Sequence, residues 1–185
     1  MDDIFLVKQA QNGNSQAFRL LVLRYQKPLF KFLNGFRLPS GRVEEIAQDT
    51  LFKAYQNLAS YDQGKGASFA TWLFVIAKRL ALNELDRSEY RHSTVEMDQA
   101  MDLECPAPSA QEILVKEQTR QRVHDALRQV AEPFRSALLL STIEELKLAE
   151  IAEIEQCSLG TVKSRIFRGK QLLAELLTKS FEADS

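Results

Sequence analysis

The chain has 185 residues, 45% of them hydrophobic and 26% charged, which suits one large or two small helical domains and excludes a disordered chain. No run of about 18 apolar residues occurs, so no membrane contact is expected, and the acidic opening Met1-Asp2-Asp3-Ile4 lacks the basic start of a secretory signal. Two cysteines, Cys105 and Cys157, and two histidines cannot build a disulfide framework or a four-ligand zinc site. A reducing cytoplasm is the expected location.

The net charge is −1, which argues against nucleic-acid binding until its distribution is examined. Residues 1–91 carry thirteen Lys/Arg against nine Asp/Glu. Residues 92–112 hold Glu96, Asp98, Asp102, Glu104 and Glu112 with no Lys or Arg, and 144–155 is again acidic. Residues 159–179 then carry Lys163, Arg165, Arg168, Lys170 and Lys179 against Glu175. Basic charge confined to segments can bind DNA there while the rest is repelled, although such runs are equally compatible with ordinary solvated helix faces.

In chain order, 15–36 reads as an apolar-rich helix that Pro28 should kink or restart. Val43, Ile46, Ala47, Thr50, Leu51, Ala54, Tyr55 and Leu58 keep an i, i+3, i+4, i+7 rhythm behind a possible Ser40 cap. Removing that stripe leaves Glu45, Gln48, Asp49, Phe52 and Lys53, and an exposed Phe suits a protein interface, although taken alone the helix reads rather as a plain bundle member. The segment 60–68 contains two glycines and no period and is read as a loop. Phe69, Trp72, Leu73, Ile76, Ala77 and Leu80 restore the helical rhythm. Trp72, Lys78, Arg79, Asn83 and Arg87 on this helix could supply the aromatic platform and cationic track that single-strand capture needs; a core position for Trp72 is the competing reading.

Residues 93–111 lack a period and contain Cys105-Pro106-Ala107-Pro108-Ser109, so 92–112 is read as a flexible acidic linker between domains at 1–91 and 113–185. Val123, Ala126, Leu127 and Val130 mark the next helix. Pro133 opens another with Phe134, Ala137, Leu138 and Ser141, and Leu148, Ile151, Ala152 and Glu155 mark a short third. After a break at Cys157-Ser158, where Cys157 reads as a small buried residue rather than a redox sensor, a long helix runs from about Gly160 to Leu177. At about 100° per residue, Val162, Ile166, Gly169, Leu173 and Leu176 form one stripe. Opposite lie Ser164, Phe167, Arg168 and Gln171, with Lys163 at the flank. This pattern suits a helix-turn-helix whose second helix enters the major groove, with a plain amphipathic surface helix as the competing reading. Gly160 and Thr161 could offer N–H groups to a phosphate.

Residues 150–168, and above all the run Gly160-Thr161-Val162-Lys163-Ser164-Arg165, resemble the C-terminal motif of extracytoplasmic-function sigma factors of the sigma-70 family. Pro133-Phe134-Arg135 resembles the opening of the same domain. Glu44–Tyr55 resembles the family's polymerase-docking helix and Phe69–Asn83 its −10 helix, so the resemblance covers nearly the whole chain outside the linker. It implies an all-α fold of two small domains, region 2 and a helix-turn-helix region 4, in the minimal form without region 1.1 or region 3. It also implies an alternative sigma factor rather than an enzyme, with no cofactor and no catalytic or metal-binding residues. The implied partners are core RNA polymerase, through its clamp; promoter DNA; and an anti-sigma factor, often membrane-anchored in the family.

Carried over by residue, Glu45, Gln48, Asp49, Phe52 and Lys53 would dock on the clamp. Tyr61, Asp62, Gln63 and Lys65 of the loop, with Trp72, Lys78, Arg79, Asn83 and Arg87, would hold the melted −10 strand. Thr161, Lys163, Ser164, Phe167, Arg168 and Gln171 would meet the −35 duplex, and Arg165 would contact phosphate or brace the helix. The chain departs from the pattern at Gln156, where a turn glycine is common, and at Ser158, where proline is common. Gly169-Lys170 replaces Ala-Arg, softening the helix by roughly 1 kcal/mol; Arg79 and Asp86-Arg87 are also unusual. A self-sufficient helix-turn-helix regulator or an adaptor that sequesters a regulator are the alternatives. The first leaves the aromatic-basic N-terminal helix without a task, and the second has no need of the basic face.

Overall fold

A computed structural model describes residues 2–39, 41–62, 64, 66–91, 110–143 and 146–183. Among them are eight α-helices and no strand: α1 (Asp3–Gln11), α2 (Ser15–Asn34), α3 (Arg42–Gln56), α4 (Phe69–Arg91), α5 (Ala110–Gln129), α6 (Phe134–Leu140), α7 (Leu148–Glu155) and α8 (Leu159–Ala183). A short 3-10 turn, Leu58–Ser60, follows α3. Gln63, Lys65, Cys105 and the expected Ser40 cap lie outside the described residues, as does most of the segment read as linker; α5 begins inside that segment, at Ala110.

Asn14 starts α2 by accepting the Gln16 and Ala17 N–H groups at 3.1 and 3.3 Å, the usual task of a short polar cap. The helix then runs through Pro28 instead of restarting there. Its inner stripe, Leu21, Tyr25, Leu29, Phe32 and Leu33, is fully buried. The Phe32 ring meets Phe36 and Phe74 edge-on, with centroids 5.0 and 5.4 Å away. α4 completes this core with Leu73, Phe74, Ala77 and Ala81, none of which keeps any exposed surface. At roughly 1.5–3 kcal/mol per fully buried large side chain, these contacts outweigh every surface interaction in the region.

The second half buries Ala137, Leu140, Ile151 and Val162, and its core is continuous with the first. α4 packs on α7, and the C-terminal end of α2 packs on α6. Polar contacts stitch the same seam. Lys78 Nζ on α4 lies 2.7 Å from Glu155 Oε1, the Arg128 guanidinium donates to the Leu38 carbonyl at 3.2 Å, and His124 Nε2 lies 2.7 Å from the Asn34 carbonyl.

Candidate functional site

α8 separates its two faces as its periodicity requires. Val162 and Ile166 are buried against α6 and α7. Gly169 sits where a Cβ would come 3.0 Å from the Phe134 carbonyl oxygen and 3.3 Å from Leu138. The glycine that weakens the helix is therefore also what lets α6 approach it. Leu173 and Leu176, read as part of the same stripe, are half-buried. Lys163, Ser164, Phe167, Arg168 and Gln171 are exposed, Phe167 by 64%. Arg168 Nη1 donates to Gln171 Oε1 at 3.2 Å, so two groups capable of base contact are held side by side.

The turn before α8 explains two departures in the sequence. Gln156 adopts φ +53°, a left-handed conformation that glycine takes without strain. Ser158 Oγ accepts the Thr161 N–H at 3.1 Å and lies 2.8 Å from the Thr161 hydroxyl, capping α8 as proline cannot. Arg165 turns inward from the groove face. Its Nη1 is 3.0 Å from Glu155 Oε2 and 3.6 Å from Cys157 Sγ. Of the two roles expected for it, this geometry is that of the brace. Cys157 is half-buried against the core.

On α3, Glu45, Gln48, Asp49, Phe52 and Lys53 are all exposed along one side, Phe52 by 59%. Tyr55, which the spacing predicts in the buried stripe, is 53% exposed, its ring tilted by 59° against half-buried Phe18 with centroids 4.9 Å apart. Spacing alone placed it in the core, but Ala54 and Leu58 already fill that side. Phe18, Phe52 and Tyr55 thus give this half an aromatic surface of which only Phe52 was legible. Arg42 pairs with buried Glu84 through two contacts of 3.0 Å. This fixes α3 on α4, and the Glu84 hydrogen bond holds the Arg42 guanidinium above its ordinary pKa.

The expected −10 surface is only partly assembled. Arg79, Asn83 and Arg87 are exposed on α4. Asp62 is exposed and its carboxylate accepts the Gly64 N–H at 2.8 Å. Tyr61, expected as a free loop group, is a core residue: it is 8% exposed, and its hydroxyl donates to the Ala67 carbonyl at 2.9 Å. Burial raises its phenol pKa above 10, and Asp3 and Asp62 add to the shift. Trp72 is half-buried, 5.1 Å from the Tyr61 ring and 5.9 Å from Phe69. Lys78, expected on the cationic track, instead spends its charge on Glu155.

Among the described residues no group of three or more His, Cys, Asp or Glu could hold a metal ion, and no helix is long and apolar enough to cross a membrane.

Residues 21–90 match the family description Sigma-70 region 2, and residues 120–173 match Sigma-70, region 4. The chain is 33% identical over 180 residues to the ECF RNA polymerase sigma-E factor of Escherichia coli K12, covering 94% of this chain and 93% of that protein. It is also 33% identical over 183 residues to the RNA polymerase sigma-H factor of Pseudomonas aeruginosa, covering 93% and 92%. Among solved structures, CnrH in complex with the cytosolic domain of CnrY superposes with a TM-score of 0.72 at 26% identity over 99% of both chains. RpoE of Bartonella quintana, solved with the anti-sigma factor NepR, shares the fold at a TM-score of 0.70 and 24% identity, covering 87% of this chain and 96% of that one. With both sigma regions in order on a helical frame, and relatives matched over 92–94% of both chains, the chain belongs to the extracytoplasmic-function group of sigma-70 family RNA polymerase sigma factors.

Proposed function

We propose that the chain is an alternative sigma factor acting as a two-part bridge between core RNA polymerase and a promoter. As a member of this family it is a transcription initiation factor and not an enzyme. The observation that carries the assignment of parts is the outer face of α8, where Lys163, Ser164, Phe167, Arg168 and Gln171 stand exposed over buried Val162 and Ile166. A helix that buries one stripe and offers Lys, Arg and Gln on the other suits a −35 major groove, where Arg and Lys read guanine and Gln reads adenine. Thr161, at the helix start, would lie beside phosphate, although its own N–H is held by Ser158.

Domain 1–91 would dock on the polymerase clamp through Glu45, Gln48, Asp49, Phe52 and Lys53. Arg79, Asn83 and Arg87, with Asp62, Gln63, Lys65 and Trp72, would hold the −10 single strand, with Lys78 joining once it is free. The segment 92–112 would link this domain to 113–185. Two weak recognition modules on one chain gain through effective concentration what neither has alone. The expected site of action is the cytoplasm. An anti-sigma partner is also expected, because the similar CnrH was solved with the cytosolic domain of CnrY.

Run-off transcription with purified core polymerase tests the reading. Holoenzyme should initiate at defined promoters, and the isolated chain should bind the same DNA poorly. A free chain that bound its site at about 10⁻⁸ M or tighter at physiological salt, as self-sufficient regulators do, would sink the proposal in favour of an operator-binding protein.

A further inference from the structure

The loop read at 60–68 has no helical period, yet its start is held from a distance. Gln11, the last residue of α1, donates through Nε2 to the Leu58 carbonyl at 2.9 Å and to the Tyr61 carbonyl at 2.8 Å. These acceptors lie 47 and 50 residues further along the chain. They flank the 3-10 turn Leu58–Ser60, so one amide clamps the turn at both ends. The side chains of Leu58 and Tyr61 are themselves buried in the core, which leaves the turn anchored on two sides.

Asp62, exposed and expected at the −10 strand, follows the clamp directly. Two further bonds shape the path beyond it. The Tyr61 hydroxyl donates to the Ala67 carbonyl at 2.9 Å, closing the loop across its base, and the Asp62 carboxylate accepts the Gly64 N–H at 2.8 Å. The direction in which the chain leaves the turn is therefore set at Tyr61, whose carbonyl Gln11 holds. A cleft of about 410 Å³ separates α1 from the loop, lined by Val7, Lys8, Gln11, Tyr61, Asp62 and Gly64. The end of α1 is thus one wall of the space beside Asp62, although α1 precedes the span 21–90 that matches region 2.

We propose that Gln11 is a positioning residue for −10 recognition. It holds Asp62 and the loop in the geometry that reads the strand, without itself touching a base. The inference rests on the reading above that Asp62 and α4 meet the −10 element. A loop already held in its bound shape loses less conformational entropy when the strand arrives. A reading group left loose by about 1 Å loses much of its contact. Both bonds run from one nitrogen, so a side chain of similar length without N–H groups removes them together. The packing of α1 through buried Leu6 and Val7 stays in place.

Holoenzyme made with the full chain, transcribing a promoter library varied at every −10 and −35 position, tests this role. Gln11→Met removes both donors, and Gln11→Lys returns donors on a slightly longer arm. Gln11→Met should lower base preference at one or more −10 positions by about tenfold, the combined worth of two ordinary hydrogen bonds. Its −35 preferences, core-polymerase binding and helical circular dichroism should match wild type. Gln11→Lys should restore the −10 preferences; its added charge raises binding to all sequences alike and cannot mimic that restoration. Unchanged −10 preferences in Gln11→Met would overturn the role, as would a Gln11→Lys chain no better than Gln11→Met. A loss at −10 and −35 together that tracks a fall in Tm would also overturn it, because that marks a residue that only supports the fold. Asp62→Ala separates this role from the reading beneath it. If Asp62→Ala alters −10 preference and Gln11→Met does not, the loop reads the strand without Gln11 and the positioning role falls alone. If neither alters it, the loop is not the −10 reader and both fall.

Discussion

Arg165 and Arg168 are three residues apart on one helix and carry the same side chain, yet their surroundings predict opposite phenotypes. Arg165 is 3.0 Å from a carboxylate with no exposed surface, and its own side chain is only 23% exposed. Breaking a buried pair by removing one partner costs about 3–5 kcal/mol. Here Lys78 and Ser136 stay on Glu155, so about 1–3 kcal/mol is expected for Arg165→Ala. At about 2–4 °C per kcal/mol for a chain of this size, that is a fall of roughly 2–12 °C in Tm. Arg168 is exposed and pairs with exposed Gln171, so Arg168→Ala should leave stability within about 0.5 kcal/mol. Its cost should appear on DNA. A bidentate guanine contact contributes about 1–3 kcal/mol, a factor of about 5 to 150 at one −35 position. Thermal melts of the free chain, together with transcription from a library varied at every −35 position, read both quantities. Lys170→Ala should weaken all promoters slightly and equally, as phosphate contacts do. If Arg168→Ala weakened every variant alike, Arg168 would be a phosphate clamp. If it lowered Tm as far as Arg165→Ala, the division of the helix into two faces would be wrong.

Phe52→Ala should weaken core-polymerase binding by about 2 kcal/mol or more, as loss of an aromatic anchor does, with Tm unchanged; a matching fall in Tm would show Phe52 to be structural. Gln156→Gly should stabilise the chain by about 1 kcal/mol, because glycine accepts the left-handed turn without the penalty a side chain carries; a loss in chemical denaturation would contradict the turn geometry. Tyr61→Phe should cost about 0.5–1.5 kcal/mol at neutral pH through the bond to Ala67. Because the folded phenol pKa is raised, the stability this group supplies is complete below its unfolded value of about 10 and is lost as pH climbs through the folded value. Alkaline melting curves should therefore fall more steeply for wild type than for Tyr61→Phe.

Local periodicity made most of the frame legible. The stripes of α3 and α8 follow from spacing, and so do the polar faces they leave over. Spacing could not decide what lies opposite each position. Tyr55 kept the rhythm of α3 yet was left outside because Ala54 and Leu58 fill the core side. Tyr61 sat in a stretch with glycines and no period, yet turned inward against Phe69 and Trp72. Leu148 began α7 as an apolar marker and is 40% exposed, while charged Glu155, at the other end of that helix, is buried. Spacing put Glu155 in that stripe, but its partner Lys78 lies far away along the chain, and no rule that works within a window of one helix could supply it. Likewise, the proline-containing acidic segment marked the division between the two sigma regions, but not the apolar contacts that run between them.

Burying Glu155 couples the angle between α7 and α8 to a contact with α4. The tight turn at Gln156 brings α8 back across α7, and Arg165 and Ser136 hold that return through the carboxylate. A charge that must be buried to set the angle of the turn attracts any further cation within reach, because desolvation makes each added partner worth more than it would be in water. Lys78 is that cation, and it lies on the helix expected to face the −10 strand. One carboxylate therefore ties α6 and α8 to α7 through two bonds and meets α4 through a third. The third is the one that can be given up, since losing it leaves no unpaired charge behind in the helix-turn-helix. Replacing Glu155 itself would disturb all three bonds, whereas changing Lys78 removes only the contact with α4.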